Sequence, residues 1–528
     1  MKSRNTYLNL LMALALFVGC QPKEKQAESA EVEQPETVAE EKFQEEHRPQ
    51  YHFSPPAHWM NDPNGMVYYD GEYHLFYQHY PDSTVWGPMH WGHAVSPDMV
   101  HWEHLPIALY PDSLGYIFSG SAVVDWKNTT GFGSDDNPPL VAMFTYHNMD
   151  GERSGKIKYQ TQGIAYSTDK GRSWTKYKGN PVLENPGIKD FRDPKVRWQE
   201  DLNAWILTLA VKDHIAFYSS PDLKEWTHLS DFGIDKGGHG GVWECPDLFP
   251  LPTPDGKGDK WVLFVSINPG APQGGSGTQY FIGEWDGKTF TEDKGSYGWL
   301  DYGPDNYAGV TWADVPQEDG RTLFLGWMSN WLYAQIVPTE NWRSAMTVPR
   351  KMELFKNGND YLLAFKPVKE LDELRNDCIT EATMMVDTSA VLDDQVKGST
   401  TFEAKLTLSE IPEEGFELIL YNDVDQHVTF GYDAAKDEYY LDRSESGKND
   451  FYDEFSRKYT TKRIVDTESI DLHIYVDVAS IEIFADEGKT VMTAIFFPDK
   501  PMDHMKVEAN GQMKVSELEV CSLKSIWK

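Results

Sequence analysis

Three short motifs each place a carboxylate next to residues that favour tight turns. Carboxylates gathered in one pocket can transfer protons or attack an electrophilic carbon, whereas each motif taken singly also fits an ordinary turn or a surface ion pair. The acids are Asp62, Asp193 and Glu244, which lie 131 and 51 positions apart and can therefore come from different structural units. The three motifs are Trp59-Met60-Asn61-Asp62-Pro63-Asn64-Gly65, Phe191-Arg192-Asp193-Pro194-Lys195 and Trp243-Glu244-Cys245-Pro246-Asp247.

The elements that must position these acids are predicted to be short β-strands. From Tyr51 onward, apolar and aromatic runs alternate with clusters of Gly, Pro, Asn and Asp, and no long stretch has the period of a helix. A unit of strand, Ser-x-Asp turn and returning Trp occurs at 93–102, 164–174 and 216–226. The copies begin about 70 and about 50 residues apart, which is near the size of a propeller blade with loop insertions. Residues 47–365 are therefore predicted to form a five-bladed β-propeller whose central channel could gather the acids.

A second domain is predicted after a linker at residues 366–376. In residues 377–528 apolar and polar residues alternate, as at 402–408 and 470–478, which is typical of antiparallel strands with one buried face. Such strands commonly pack as a β-sandwich. The body of the chain is therefore expected to be all-β, and the role favoured for the second domain is structural support.

The N-terminal residues have the pattern of an export signal. Lys2 and Arg4 precede an apolar run at 8–18 that is too short to cross a bilayer as a helix. Residues 17–20 resemble a bacterial lipoprotein cleavage box, which would make 1–19 a lipoprotein signal peptide and Cys20 the lipidated first residue of the mature chain. Plain secretion with cleavage elsewhere is the alternative. Lipidation would place the protein in the bacterial cell envelope, on the outer membrane, at its periplasmic face or at the cell surface.

Acidic residues dominate both the following segment and the whole chain. Residues 20–46 are predicted to be a disordered tether, because nine Glu and very few apolar residues cannot offset the entropy of ordering. Over 528 residues, 83 Asp and Glu against 48 Lys and Arg give a net charge of −35. Such a chain repels nucleic acid, so no nucleic-acid partner is expected. The lipid anchor is the only membrane contact expected, and the oligomeric state is left open.

The four cysteines are too few for a disulfide scaffold and are wrongly spaced for a zinc site. Cys245 fits a buried thiol better than a nucleophile, because no Cys-His-Asn arrangement accompanies it. Cys378 and Cys521 could pair in an oxidising compartment, which the sequence leaves open. His90 and His93 have no third ligand at a convincing spacing, so neither a metal nor a cofactor is expected.

Taken together, the motifs resemble those of glycoside hydrolase family 32, which contains the invertases, levanases and inulinases. The resemblance spans the chain after the tether and implies a five-bladed β-propeller followed by a β-sandwich. Besides the three acidic motifs it includes Phe76-Tyr77-Gln78, Trp86-Gly87, Phe118-Ser119-Gly120-Ser121, Asp305-Asn306-Tyr307-Ala308, Gly326-Trp327-Met328-Ser329-Asn330-Trp331, Asp442-Arg443-Ser444 and Ile481-Glu482-Ile483-Phe484.

The resemblance also implies a role for each acid. Asp62 would be the nucleophile, and Glu244 the general acid and then the general base. Asp193 would bind two sugar hydroxyls and stabilise the transition state. The carboxyl groups of Asp62 and Glu244 would then lie roughly 5 Å apart, as retention of configuration requires.

Further residues are expected, by the same resemblance, to surround the terminal fructosyl unit. Trp86 and Trp327 would form aromatic walls, although Trp331 could fill the wall assigned to Trp327. The residues expected to bind hydroxyls are Asn61, Gln78, Ser119, Arg192 and Asp305.

The function implied is hydrolysis of β-fructofuranosyl linkages in levan or inulin, and in sucrose as a further substrate, with attack at the chain end slightly preferred. An endo-acting levanase is the first alternative, and a non-catalytic glycan-binding protein is a weaker one because all three acids are present. A sialidase would need an arginine cluster and a Tyr nucleophile, and Arg192 is the only arginine that lies in a motif of catalytic type. An inverting arabinan or xylan hydrolase would hold its acid and base farther apart. The choice between β-2,6 and β-2,1 linkages is left open.

Overall fold

The computed structural model describes residues 43–134 and 136–527. The predicted signal peptide 1–19, the predicted lipidation site Cys20 and the predicted tether up to residue 42 lie outside the described residues. Residues 43–46 were also predicted to be tether, but they pack on the body: the Phe43 ring lies 3.9 Å from that of Trp527, and Glu45 accepts a hydrogen bond from Arg48 Nε at 2.9 Å. Within the described ranges, no helix has both the length and the apolar character needed to span a membrane.

Nearly all regular structure is β, which confirms the all-β prediction. The described helices are short: α1 (Met149–Arg153), α2 (Asp393–Val396) and the 3₁₀ turns Glu200–Leu202 and Lys369–Leu374.

Residues 58–367 form five separate sheets of antiparallel strands. The first has β1 (His58–Tyr69), β2 (Glu72–Tyr80), β3 (His90–Ser96) and β4 (Glu103–Leu109), and the second has β5 (Tyr116–Val124), β6 (Leu140–His147), β7 (Gln160–Ser167) and β8 (Thr175–Lys176). The third has β9 (Phe191–Gln199), β10 (Ala204–Val211), β11 (His214–Ser220) and β12 (Thr227–Phe232). The fourth has β13 (Val242–Pro252), β14 (Asp259–Asn268), β15 (Gly277–Trp285) and β16 (Phe290–Trp299).

The fifth sheet contains β17 (Tyr307–Thr311) and β18 (Thr322–Met328). The next strand, β19 (Trp342–Arg343), leaves this sheet and pairs in parallel with β1 of the first sheet. The fifth sheet is then completed by β20 (Ala345–Met346), β21 (Arg350–Asn357) and β22 (Asp360–Pro367). A late segment of the chain thus closes the first sheet.

The first strands of the five sheets contact one another in a closed circle. Strand β1 touches β5, β5 touches β9, β9 touches β13, β13 touches β17, and β17 touches β1 again. The pairing register is interrupted once or twice near the start of each of these strands, for example between Glu244 and Asp247 in β13. Such bulges redirect side chains, and prolines are tolerated there because no ladder N–H is needed. Pro63, Pro194 and Pro246 occupy these irregular stretches.

Residues after 374 form two six-stranded sheets that pack face to face. One sheet contains β23 (Arg375–Val386), β25 (Phe402–Ser409), β30 (Ile470–Asp477), β31 (Ser480–Ala485), β32 (Thr490–Ile495) and β34 (Met513–Leu523). The other sheet contains β24 (Ser389–Val391), β26 (Phe416–Tyr421), β27 (His427–Asp433), β28 (Glu438–Asp442), β29 (Lys458–Lys462) and β33 (His504–Ala509). Their apolar side chains are buried between the sheets, as the period-two alternation predicts. Cys378 and Cys521 form a disulfide between β23 and β34.

Buried ion pairs join the two-sheet region to the five-sheet region. Arg443 Nη1 donates to Asp305 Oδ2 at 2.7 Å, and Arg350 donates to both Asp301 and Glu482. The predicted linker 366–376 contains the 3₁₀ turn, whose Leu371 and Leu374 are buried. The second region is thus fixed rigidly to the first.

Stability is expected to decrease in alkali because of His52. This fully buried ring lies between Asp477 Oδ2 and Glu482 Oε1, each 2.8 Å away. Burial alone would lower the pKa of His52, but its hydrogen bonds to these two carboxylates raise the pKa from 6.5 to about 9. Since the folded-state pKa is the higher one, the ion pairs stabilise fully below pH 6.5, and about 3 kcal/mol is lost as the pH rises through 9.

Urea unfolding between pH 6 and pH 10 measures this loss. The variant His52→Gln, which cannot titrate, should show a flatter pH dependence over the same interval. An equal decline in both proteins would contradict the assignment to His52.

Candidate active site

The three predicted acids come from three different first strands. Asp62 lies in β1, Asp193 in β9 and Glu244 in β13, each near the start of its strand. Arg192 links two of them, since its Nη2 lies 2.8 Å from Glu244 Oε1 and its Nε lies 3.8 Å from Asp193 Oδ2. The thiol of Cys245 lies 3.6 Å from Asp62 Oδ2 and 3.7 Å from Asp193 Oδ2. The ring of first strands therefore gathers all three carboxylates into one cluster.

Asp62 is fixed by two short polar side chains. Ser119 Oγ, from β5, donates to Asp62 Oδ2 at 2.6 Å, and Asn61 Nδ2 donates to Oδ1 at 2.9 Å. The Asn61 amide is itself oriented, because its oxygen accepts from Trp59 Nε1 at 2.7 Å. Both donors favour the ionised form of the carboxylate and fix its orientation.

Asp193 is held by an unusual backbone conformation. Its φ of +64° lies in the left-handed region, which costs a non-glycine residue energy and persists where surrounding contacts enforce it. Thr145 Oγ1 accepts from the Asp193 amide at 2.9 Å, and the Cys245 amide donates to Asp193 Oδ2 at 3.1 Å. Cys245 also has a positive φ, of +45°. The two strained residues thus support each other across β9 and β13.

Glu244 is the most accessible acid, with one-fifth of its side chain exposed. Arg192 contacts one of its oxygens, and the buried Tyr307 donates a hydrogen bond to the other, Oε2. Arg192 is anchored in turn by Asp190, whose Oδ1 lies 2.8 Å from Nη1. An acid that must exchange protons with a departing group and with water needs this combination of access and fixed direction.

Crowding of the acids changes their protonation. Burial, followed by the negative charge of Glu244, raises the pKa of Asp62 against the opposing hydrogen bonds of Ser119 and Asn61. Burial also raises the pKa of Asp193; Arg192 lowers it, and the charges of Glu244 and Asp62 raise it further, to about 7. The crowding of buried negative charge therefore favours a proton on Asp193 near neutral pH.

Cys245 remains a thiol in this setting. Burial, together with the neighbouring charges of Asp193 and Asp62, places its pKa well above the usual range for a thiol. This agrees with the prediction of a buried thiol. Among the described residues, no group of three His, Cys, Asp or Glu side chains has an arrangement that could hold a metal ion.

Three of the predicted sugar-binding residues lie at this cluster, and two lie beside the strand that carries Ser119. Asn61, Ser119 and Arg192 contact the acids directly, as described above. Gln78 Nε2 donates to the carbonyl of Ile117 at 3.0 Å. The half-buried ring of Trp86 lies 6.0 Å from that of Phe118. Both therefore border the strand segment that ends at Ser119.

The prediction for Asp305 is wrong. Its carboxylate is fully buried between the two regions of the chain, where Oδ1 accepts from Tyr333 and Oδ2 accepts from Arg443 and from the Ile495 amide. No part of it can reach a ligand in the acidic cluster. Asp305 instead forms a structural ion pair with Arg443, which lies 138 residues further along the chain.

The prediction of Trp327 as an aromatic wall is also wrong, and Trp331, the alternative for that wall, fits better. Trp327 is fully buried, packed 6.2 Å from Trp59 and 5.0 Å from Trp331. Trp331 is only partly buried and lies 5.7 Å from Trp59, whose Nε1 donates to Asn61. Trp331 can therefore present a face to a ligand, whereas Trp327 supports it from behind.

Tyr307 is a site residue that sequence reasoning misses, although it belongs to the motif Asp305-Asn306-Tyr307-Ala308. It stands near the start of β17, the same position that the acids occupy in β1, β9 and β13. That equivalence between sheets is the signal that could have identified it. The burial of Tyr307 and the nearby charge of Glu244 raise its pKa well above the usual range, so its hydroxyl stays a donor.

A buried ion pair lies directly behind the acids. Lys195 Nζ lies 3.2 Å from Asp247 Oδ2, and the same oxygen accepts from both the amide and the hydroxyl of Thr311 at 2.7 Å. Lys195 also donates to the carbonyl of Thr311. These contacts tie β9, β13 and β17 together two or three residues after Asp193 and Glu244.

We expect Asp247→Ala to lower kcat about 10- to 100-fold with little change in KM, because loss of the tie lets Asp193 and Glu244 shift. Asp247→Asn should recover most of the activity, since an amide oxygen can still accept from Thr311. Asp286→Ala, at an exposed turn of the same sheet, is the matched control. A change in KM alone, or no rescue by Asn, would contradict a positioning role.

An acidic cluster of this geometry, at one end of a closed ring of strands, defines the chain as a glycoside hydrolase. The family model described as "Glycosyl hydrolases family 32 N-terminal domain" matches residues 52–367, and the one described as "Glycosyl hydrolases family 32 C terminal" matches residues 370–522. The chain therefore belongs to glycoside hydrolase family 32, a family that combines a β-propeller with a β-sandwich.

Individual relatives agree with this assignment. The chain is 48% identical to a levanase of Bacillus subtilis (strain 168) over 92% of this chain and 72% of the levanase. Its structure is similar to the crystal structure of an exo-inulinase from Aspergillus awamori, with a TM-score of 0.83 and 36% identity over 92% of this chain and 100% of that one. It is also similar to a fructofuranosidase variant from Schwanniomyces occidentalis in complex with fructosylnystose, with a TM-score of 0.82 and 31% identity over 92% and 99% of the two chains.

Proposed function

We propose that this chain hydrolyses β-fructofuranosyl linkages in fructans, with water as the acceptor and with retention of configuration. The observation that carries the proposal is the single cluster formed by Asp62, Asp193 and Glu244. The likeness to a levanase and to an exo-inulinase supports fructans as the substrate class. We also propose that the five sheets are the five blades of the propeller.

The reaction proceeds in two displacements. A carboxylate oxygen of Asp62 attacks C2 of the terminal fructosyl unit while Glu244 gives its proton to the glycosidic oxygen, so that the C2–O bond breaks and the rest of the sugar leaves as an alcohol. Glu244, now ionised, takes a proton from water, whose oxygen bonds to C2 as the ester bond to Asp62 breaks. Each displacement inverts C2, and the two together retain its configuration.

The remaining residues of the cluster hold the sugar and the acids. Asp193 accepts hydrogen bonds from two hydroxyls of the fructosyl unit, which strengthen as positive charge develops on the ring. Arg192 and Tyr307 direct Glu244, and Ser119 and Asn61 direct Asp62. Trp86 and Trp331 provide the aromatic walls.

Methanolysis tests the mechanism. With methanol added as a second acceptor, retention predicts methyl β-fructofuranoside, a stable product that NMR distinguishes from its α anomer. Formation of the α anomer would contradict the double displacement.

We propose attack at the chain end, because Asp62 and Asp193 are more than nine-tenths buried and a terminal unit reaches them more easily than an internal one. Short incubations with levan, inulin and sucrose, followed by separation of products by size, provide the test. Free fructose is expected as the only early product from the polymers. Early oligosaccharides from levan would instead identify the endo-acting alternative.

We further propose that the protein is exported to the cell envelope and anchored through lipidated Cys20. The disulfide between Cys378 and Cys521 supports an oxidising compartment. Cys20→Ala should shift the protein from the membrane fraction to the soluble fraction of cells, and unchanged partitioning would contradict the anchor.

A further inference from the structure

A second cavity, of about 850 Å³, opens at the end of the strand ring opposite the acids. It is lined by the later residues of β5, β9, β13 and β17, whose early residues form the acidic cluster. Trp198 in the cavity wall lies five positions after Asp193 along β9, about 16 Å at 3.3 Å per residue, whereas Lys195 at the inner end lies two positions after it.

An ion pair lies between the acids and this cavity. Lys195 and Asp247, with the hydrogen bonds of Asp247 to Thr311, line the inner end of the cavity. A ligand in the cavity therefore meets this ion pair, and not the acids, at its inner end.

Trp126 offers a fixed aromatic surface at this cavity. It is 59% exposed, more than any other tryptophan in the described part of the chain. Its Nε1 donates to Asp314 Oδ1 at 2.9 Å, and the other oxygen of Asp314 accepts from the Val124 amide at 2.8 Å. The indole is thus held in place with much of its surface open to solvent.

Charged side chains line the same cavity but are already paired. The guanidinium of Arg197 lies 4.7 Å above the ring of Trp261, and its Nη1 donates to the Leu248 carbonyl at 3.2 Å. Trp198 is less available as a platform, since Lys127 lies 4.7 Å above its ring and its Nε1 donates to Glu200. The cavity therefore combines one open aromatic surface with a polar wall.

We propose that this cavity is a second carbohydrate-binding site, with Trp126 as the stacking platform. An exposed aromatic surface beside planar polar side chains suits a sugar ring, which is apolar on its faces and polar at its edges. The net charge of −35 disfavours anionic polymers and leaves neutral polysaccharides as the matching class. The choice of fructan among them rests on the proposed function.

Such a site would hold one part of a polymer while the acids cleave the same polymer at a chain end. It raises the local substrate concentration without a new catalytic contact, which is the advantage of two linked binding sites. Short substrates would gain nothing, because they cannot occupy both sites at once.

Affinity electrophoresis in native gels containing levan or inulin tests the proposal. Glu244→Gln is the background, so that the polymer is not digested, and Trp126→Ala is added to it. We expect the additional substitution to weaken the apparent affinity for the polymer about tenfold, whereas Trp126→Phe restores most of it. Ile234→Ala removes an exposed apolar side chain elsewhere and is the matched control.

Activity on a trisaccharide separates this inference from the proposed function. In the otherwise unchanged enzyme, Trp126→Ala should leave kcat/KM for the trisaccharide at its original value. Unchanged retardation of the Trp126→Ala protein, or no retardation of the background protein, would overturn the second site while leaving hydrolysis intact. Absence of fructan hydrolysis by the unmodified enzyme would instead overturn the proposed function.

Discussion

Asp62→Ala is expected to lower kcat by about 10⁴-fold or more on every fructoside, whatever its leaving group. The carboxylate is the nucleophile of the first displacement at C2 in the proposed mechanism, and a better leaving group cannot replace it. Asp62 is held by Ser119 and Asn61 rather than by a residue of the second region, so the variant should fold. Steady-state kinetics on sucrose and on an aryl β-fructofuranoside provide the measurement.

Glu244→Gln separates the two catalytic roles. On sucrose we expect a loss of about 10²- to 10⁴-fold, because the departing oxygen no longer receives a proton. On the aryl fructoside the first displacement should be nearly unaffected, and added azide should restore turnover by attacking the Asp62 ester in place of activated water. Equal losses on both substrates would contradict the assignment of Glu244 as acid and base.

Asp70→Ala provides the control for Asp62. Asp70 is an exposed acid in the turn that follows β1, and its substitution removes a carboxylate of the same strand region without touching the cluster. It should retain full activity. Near-normal activity in Asp62→Ala itself would contradict the mechanism.

Arg443→Ala is expected to be the most destabilising substitution outside the cluster, by about 3–5 kcal/mol. Arg443 is fully buried, its guanidinium donates to Asp305, Tyr333 and Tyr459, and it lies 3.7 Å above the ring of Phe455. Removing it leaves Asp305 as an unpaired carboxylate with no access to water. Urea unfolding provides the measurement.

A double substitution distinguishes loss of the ion pair from loss of packing. Arg443→Met combined with Asp305→Asn removes both charges while keeping volume, and it should cost less than the sum of the two single changes. Arg457→Ala, at a partly exposed arginine nearby, should change stability by no more than about 0.5 kcal/mol. Additive effects of Arg443→Met and Asp305→Asn would show that the two residues do not interact.

Much of the site could be predicted from sequence because the acids lie in local motifs. Asp62, Asp193 and Glu244 are each followed within two residues by a proline that marks an irregular strand, and the structure brings all three together. The alternation in β25 likewise predicted which side chains are buried, from Phe402 to Leu408. These features depend on neighbours in sequence, where a periodic pattern is informative.

The errors concern residues whose role depends on distant partners. Asp305 belongs to a site motif, yet its environment is set by Arg443, 138 residues away. Trp327 and Trp331 differ by four positions, and only the packing against Trp59 decides which of them is covered. Burial of this kind arises from the assembled fold, so a local pattern cannot determine it.

The pairing of β19 with β1 has a consequence for how the chain acquires its fold during synthesis. The edge of β1 at Trp59 stays unpaired until Arg343 has been synthesised, which takes roughly 15 to 60 s at typical elongation rates. In the other four sheets of residues 58–367, every strand pairs with strands from the same stretch of the chain. We therefore expect the nascent chain to expose an unpaired strand edge over most of its translation, which makes early chaperone binding at the first sheet a condition for high yield.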